Sequence, residues 1–566
     1  MLAPLPQQPV EFMRWSWAEI EPYYAELIER PFSATSISGW LADWTRLAEL
    51  VYERFQRLYV AITVDTTDVA SKQEYDSFLD RIYPNAQTAE QKLKETLLAS
   101  GLEPAGFDVP LRNLRLEAEI FRQENLPLLT EELKLNAEYD QIIGAQTVNW
   151  EGKELTLPQL RPVAQDHDRA VRERAWRLAA ERQLADRRAI DDLWGKLLPL
   201  RDQLAHNAGL SSYRDYRWKQ MLRFDYNPQD CTRFHRAIEL AAVPAAFRLY
   251  EGRRQKLGVE TLRPWDLEVD ALGRPPLKPY TQIDQLEDGV SAIFHQVDPQ
   301  LGEYFDTMRR EGLLDLENRK GKAPGGYCTE FVASKRPFIF MNAVGLHDDV
   351  QTLLHEGGHA FHVFETNALP YIQQKQVSLE FAEVASMGME LLASPYLSMA
   401  GGFYTPPDAT RAFTTNLEEI IRFWPYMAVV DAFQHWVYEH PQAAIQPASR
   451  DARWSELWDR FMTGVDWSGL EDEKATGWQR KPHITQVPFY YIEYGLAQLG
   501  ALQVWRNALK DKAGAVRAYR RALALGGTVG LSDLYFAAGA RLVFDVEPLQ
   551  EIIDLMENAI ATQPLL

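Results

Sequence analysis

The sequence predicts a mostly α-helical protein with one small β element. Two observations carry that reading. Apolar residues recur at helical spacing along most of the chain, and long stretches consist of strong helix formers. From Ser36 to Val60, the residues Trp40, Trp44, Leu47, Val51, Phe55 and Leu58 form one apolar face. Asp168 to Leu204 is rich in Ala, Arg, Leu and Glu and reads as one or two long amphipathic helices. Asn149 to Thr156 reads as a short strand or turn, and Leu272-Gly-Arg-Pro-Pro276 breaks the chain. Gly326 to Val332 and Arg336 to Asn342 flank Ala333-Ser334-Lys335 as two strands of a hairpin. Pro337 marks the second strand as a sheet edge. A helix follows, with Asp348 as N-cap and Gln351 completing a capping box.

The chain has 566 residues, 46% of them hydrophobic and 11% aromatic, enough to bury a large core. We expect an N-terminal helical region over 1–200 and a catalytic region over 201–566. A net charge of −20 argues against nucleic-acid partners and anionic membrane surfaces. The two cysteines, Cys231 and Cys328, have neither CxxC spacing nor the density of a disulfide scaffold. The N-terminus lacks a basic region followed by an apolar stretch, and no apolar run reaches about 18 residues, so the cytoplasm is the expected compartment.

The chemistry is concentrated in His355-Glu356-Gly357-Gly358-His359. Two histidines four apart on a helix turn their imidazoles to one side, where they can hold one Zn²⁺. Glu356 between them is placed to take a proton from a water that the metal makes acidic. With 11 histidines in the chain, about 0.02 such pentapeptides are expected by chance. A catalytic zinc takes a third protein ligand and keeps one position open. Glu365, six residues after His359, needs the helix to stop near His362. Glu380, Glu383 and Glu390 lie on nearly one face of a second helix. Glu383 is the best choice, because Ala382, Val384, Ala385 and Ser386 around it let two helices approach closely. Glu380 is a candidate for orienting a histidine, or a surface charge, and Glu390 is a candidate for a solvated face. Gly357 and Gly358 each cost about 1 kcal/mol in a helix and point to a close approach by another helix or by substrate. His362 reads as a core or supporting histidine.

These residues together resemble the thimet oligopeptidase family, in its bacterial oligoendopeptidase F-like branch. The match rests on His355-Glu-Gly-Gly-His-Ala-Phe-His, on Ala382-Glu-Val-Ala-Ser and on His483-Ile-Thr-Gln-Val-Pro-Phe-Tyr-Tyr-Ile-Glu-Tyr. It is specific over about residues 320 to 500. The resemblance implies a two-lobed helical body around a deep channel that admits short extended peptides, with both regions contributing walls. It implies one zinc ion on His355, His359 and Glu383, Glu356 as general base, and zinc-dependent cleavage inside short peptides. It also implies that Tyr494 and either Tyr490 or Tyr491 stabilise the oxyanion while His483 assists.

Three further expectations come from the residues. The strand Arg336 to Asn342, with Phe338 and Phe340, pairs with an extended substrate beside Gly325, Gly326 and Tyr327. Gly464 to Lys481 is either a mobile cover over a cleft or an ordinary loop. Arg480 or Lys481 could hold a substrate's C-terminal carboxylate, which would make the protein a carboxypeptidase or dipeptidyl carboxypeptidase instead. A non-catalytic peptide-binding protein has no need of Glu356.

Overall fold

The structure, a computed structural model, describes residues 3–398 and 401–562. Helices dominate it, as the periodicity predicts. Helix α1, Ile37–Val64, extends the predicted one by four residues and buries Trp40, Leu41, Trp44, Leu47 and Leu50. Trp40 and Trp44, one turn apart, meet edge to face with centroids 5.2 Å apart. They anchor an N-terminal core drawn from residues between Phe12 and Ala137. A second, larger core runs from Ile120 to Met556.

Helix α2, Leu126–Gly144, bridges the two cores. It is followed by a hairpin of β1, Thr147–Trp150, and β2, Lys153–Thr156, which turns through Glu151 and Gly152 at φ values of 51° and 82°. The long helical pattern after it resolves into α3, Arg169–Ala185, and α4, Arg187–Asn207. Asp168 caps α3 by accepting from the Ala170 N–H at 2.9 Å. A boundary at residue 200 would cut α4, whose Leu193, Trp194, Leu197 and Leu204 are buried in the larger core. The two cores overlap in sequence between Ile120 and Ala137.

Asp140 on α2 is buried and accepts from Gln486 Nε2 at 2.8 Å. Burial pushes its carboxyl up to about 7 from 3.8. The folded state thus holds this proton more tightly than the unfolded chain. The associated stability is present below about pH 4 and is lost as pH rises through about 7. Asp140→Asn should stabilise the protein by on the order of 2 kcal/mol above about pH 8 and leave it unchanged near about pH 4. Denaturant melts at both pH values would check this.

Helices α5, Pro228–Leu257, and α6, Ile283–Val297, lead to a three-stranded sheet. Its strands are β3, Leu314–Glu317, β4, Tyr327–Phe331, and β5, Arg336–Ala343, in the order β3-β5-β4. The predicted hairpin is present, with Tyr327 opposite Phe340 and Phe331 opposite Arg336. The predicted edge is not. Strand β5 lies in the centre, because β3 joins its other side in parallel from Ile339 onward. Pro337 is tolerated because it precedes that junction and faces only Glu330 of β4. The edge beside the hairpin is β4. Helix α1 covers the hairpin: Glu53 accepts from the Ser334 N–H at 2.7 Å, and Thr63 Oγ1 meets the Tyr327 hydroxyl at 2.6 Å.

Four more helices complete the site: α7, His347–Thr366, α8, Leu379–Ala393, α9, Pro406–Glu439, and α10, Tyr491–Ala508. Helix α8 packs between α7 and α10, while α9 packs on α5 and α10. The segment 463–481 is pinned, which disfavours a mobile cover. Leu470 and Trp478 are fully buried, and Trp478 Nε1 donates to Asp451 Oδ1 at 2.8 Å. Among the described residues no helix is long and apolar enough to cross a membrane.

Candidate metal centre and active site

Helix α7 starts one residue before the expected cap. Asp349 Oδ2 accepts the backbone N–H groups of Val344, Gly345 and Leu346 at 2.9, 2.7 and 2.8 Å. Asp348 instead pairs with Arg161 at 2.9 Å. The cap therefore reaches back from inside the first turn and fixes the loop that leads in from β5.

Two turns on, the rings of His355 and His359 lie with centroids 5.0 Å apart. Glu383 of α8 meets them: its Oε2 is 3.3 Å from His355 Nε2 and 3.6 Å from His359 Nε2. Tetrahedral zinc with bonds of about 2.1 Å separates its ligands by about 3.4 Å, so these three residues fit the ion. Gly358 permits the approach. A Cβ there would lie 2.5 Å from the Ala385 carbonyl oxygen and 2.6 Å from Ser386 Cα. The small residues beside Glu383 thus face the glycine of the metal helix. Gly357 serves a different contact, since a Cβ there would strike the Phe294 ring at 2.4 Å. Both glycines answer to packing.

The electrostatics favour a cation at this point. Burial opposes charge on His355, yet Glu383 and Glu390 outweigh it and hold the imidazole well above its ordinary range. Glu383 is likewise buried, but His359 and His355 hold it well below the carboxylate range. A divalent ion would take over the role that the proton plays in this balance.

The candidate ligands His355 and Glu383 are held by outer partners. His355 Nδ1 meets Glu390 Oε1 at 2.7 Å, which leaves Nε2 for the metal. Glu390 therefore orients a histidine and does not form a solvated face. Glu380, the expected orienting residue, accepts from Tyr226 at 2.6 Å and faces Arg223 at 3.6 Å. Glu365 pairs with Arg520 at 2.8 Å, away from the histidines. His362 is buried against Phe381. Glu383 itself accepts from Ser386 Oγ at 3.0 Å and from the Tyr490 hydroxyl at 2.6 Å. Glu390→Gln should weaken zinc binding about 10- to 100-fold, measurable by chelator competition.

Glu356 points to the same region. It is buried, its Oε2 has no hydrogen-bond partner, and burial raises its carboxyl against the pull of His355 and His359. Gly326, immediately before β4, adjoins it: a Cβ there would lie 3.5 Å from Glu356 Oε1.

The third expected segment also converges here. His483 Nε2 and the Tyr494 hydroxyl are 2.9 Å apart. Burial, aided by Lys481, pulls His483 down to about 3, so its ring is neutral at physiological pH. Tyr490 is the tyrosine whose hydroxyl reaches the ligand carboxylate. Tyr491 is buried with its ring centroid 5.3 Å from that of His483. The turn before them is braced in ways the sequence did not reveal. Phe489 adopts φ of +66°, its N–H donates to Gln434 Oε1 at 2.7 Å, and Arg223 donates to its carbonyl and to Glu493, the latter at 2.6 Å.

Phe338 and Phe340 do not line a cleft. They are 9% and 0% exposed and pack with Phe331 and Ala323 in a small core under the sheet. Their place in the central strand turns them inward. Tyr327 stacks on Phe340 at 4.8 Å, with its hydroxyl tied to Thr63. Gly325, at φ of +85°, and Gly326 remain at the approach to Glu356.

Comparison with known proteins decides the family. Residues 163–553 match peptidase family M3, and residues 8–105 match the peptidase M3 N-terminal domain. This chain belongs to peptidase family M3. Members of the M3 family are metal-dependent peptidases. The chain is 25% identical to oligopeptidase PepF of Bacillus subtilis over 265 residues, covering 46% of this chain and 38% of that one. It is 23% identical to an oligoendopeptidase F homolog of Borreliella burgdorferi over 301 residues, covering 50% and 48%. The chain thus spans less than half the length of these curated relatives. Solved structures match more fully. PZ peptidase A, solved with an inhibitor, has a TM-score of 0.91 at 27% identity over 99% of both chains. An oligoendopeptidase F structure has a TM-score of 0.92 at 29% identity over 97% of both. The mostly helical M3 fold with small sheets is therefore the fold of this chain.

Proposed function

We propose that this M3 peptidase is a zinc-dependent oligopeptidase that cuts inside short peptides. One observation carries the reading: His355, His359 and Glu383 present three ligand atoms within 4.8 Å of one another, beside a buried Glu356 with an unpartnered oxygen. When bound, zinc makes a water acidic near neutral pH and polarises a carbonyl oxygen. Glu356 receives the proton of the attacking water and returns it to the leaving amine. Its burial and raised pKa suit a group that must both take and give. The Tyr494 hydroxyl donates to the oxyanion as it forms on the carbonyl oxygen, and neutral His483 assists by donating its Nε2–H to the Tyr494 oxygen. Tyr490, bound to Glu383, holds that carboxylate towards the histidines.

The edge strand β4 supports backbone recognition. Its outer groups are free of the sheet, and Gly326 just before it adjoins Glu356, so an extended peptide added to β4 would bring its carbonyl towards the base. This replaces β5 as the strand we assign to substrate. An exopeptidase reading rests on Lys481, whose Nζ stands 4.7 Å from the Tyr491 ring centroid, while Arg480 turns away to the Glu473 carbonyl. A short peptide blocked at both ends separates the two readings. Chelator-sensitive cleavage of it supports the endopeptidase. Cleavage only of the unblocked form points to Lys481 as a carboxylate anchor.

A further inference from the structure

A second group of side chains of metal-ligating type lies in the larger core, separate from the histidines of α7. Helices α5 and α9 pack against each other, and each contributes two residues one turn apart. Helix α5 supplies Cys231 and His235, and α9 supplies Asp431 and His435. One ligand atom each from Cys231, Asp431 and His435 lie within 4.8 Å of one another. His235 Nε2 meets Asp431 Oδ2 at 2.8 Å, which brings a fourth donor to the same carboxylate.

The group is closed. Cys231 and Asp431 are 0% exposed, His235 is 6% and His435 is 8% exposed. Its hydrogen bonding is incomplete. Asp431 Oδ1 has no partner, and His435 Nε2 lies 3.3 Å from Asp431 Oδ2 without the alignment of a hydrogen bond. The ion pairs of Asp431 are with these two histidines, and neither Lys nor Arg joins them among the described residues. A buried carboxylate with a free lone pair is costly unless a cation or donor meets it.

We propose that Cys231, Asp431 and His435 hold a second, structural zinc ion, with His235 fixing the Asp431 carboxylate and standing next in line as a fourth donor. A thiolate, a carboxylate and two neutral imidazoles carry two negative charges, which a divalent ion balances inside a dry core. Sulfur and imidazole nitrogen select zinc over the hard cations magnesium and calcium. The site is closed off from solvent, with Cys231 and Asp431 fully buried, so it holds structure and performs no hydrolysis. On binding, the Cys231 thiol releases its proton to solvent as the sulfur–metal bond forms.

The position gives the site a purpose. Gln434, next to His435, accepts the Phe489 N–H, and the His435 ring packs on Phe489 with centroids 5.2 Å apart. Phe489 immediately precedes Tyr490. A metal joining α5 to α9 would therefore steady the turn that delivers Tyr490 and Tyr494.

Metal content of the purified full-length chain tests this, alongside His359→Ala and Cys231→Ser variants. The expected result is two zinc ions per chain in the parent and one in each variant. Cobalt-loaded parent and His359→Ala proteins should show sulfur-to-cobalt charge-transfer absorption, because the catalytic ligands contain no sulfur. Cys231→Ser should lose that band and melt at a lower temperature. A parent with one zinc, lost entirely in His359→Ala, and no charge-transfer band would overturn the proposal and leave a hydrogen-bonded polar cluster. Should Cys231→Ser fail to fold, the cobalt spectrum of His359→Ala decides alone.

Discussion

Glu356→Gln should lower turnover of a blocked peptide by about 1000-fold while leaving the catalytic zinc in place. The substitution keeps the size and buried position of the side chain but removes its ability to accept a proton. The proposed metal ligands are His355, His359 and Glu383, so the ion would have no direct stake in the change. The binding of a peptide along β4 should also persist, because backbone pairing does not involve the carboxylate. Most of the loss should therefore appear in kcat, with little change in KM. Metal analysis and steady-state kinetics on the same preparation check both halves. Equal loss of zinc and activity would mean that Glu356 holds the site together instead.

Gly358→Ala should lower kcat/KM by about 100-fold and weaken zinc binding, although the residue touches neither metal nor substrate. The new methyl group would sit 2.5 Å from the Ala385 carbonyl oxygen, a backbone atom that cannot swing aside. Helices α7 and α8 must part, and Glu383, two residues before Ala385, moves with α8. Overpacking of this kind costs about 1–3 kcal/mol in stability. Gly357→Ala is the internal control. Its methyl group meets the Phe294 side chain, which can shift, so stability should fall while the metal geometry survives. Similar kinetics for the two variants would show that glycine here matters only for helix packing in general.

The helical architecture was legible because it is periodic, and the candidate metal cluster because two of its members are histidines one helical turn apart. Apolar spacing reveals helices, and two histidines four apart with a glutamate between them mark a candidate metal site. Gly358 and the small residues around Glu383 belonged to one contact, while Gly357 met Phe294, and the local cost of the two glycines was the visible sign of both. What stayed hidden depended on distance in space. Glu390 lies 35 residues from the histidine it orients, and nothing in its neighbourhood separates it from Glu380. The bracing of Phe489 by Arg223 and Gln434 joins segments more than 250 and about 55 residues away. Pro337 misled for a related reason: the strand that pairs on its far side comes from residues 314–317, which carry no marked strand signal. Phe338 and Phe340 then followed β5 inward.

The most direct test is length-resolved cleavage by the purified protein. Blocked peptides of about 5 to 40 residues and unfolded casein would be incubated with and without a chelator, then with zinc restored, and the products read by mass spectrometry. Internal cuts confined to the short peptides, abolished by the chelator and recovered with zinc, are the result predicted here. Cleavage of casein and long peptides at the same rate, or cleavage untouched by the chelator, would contradict a zinc oligopeptidase.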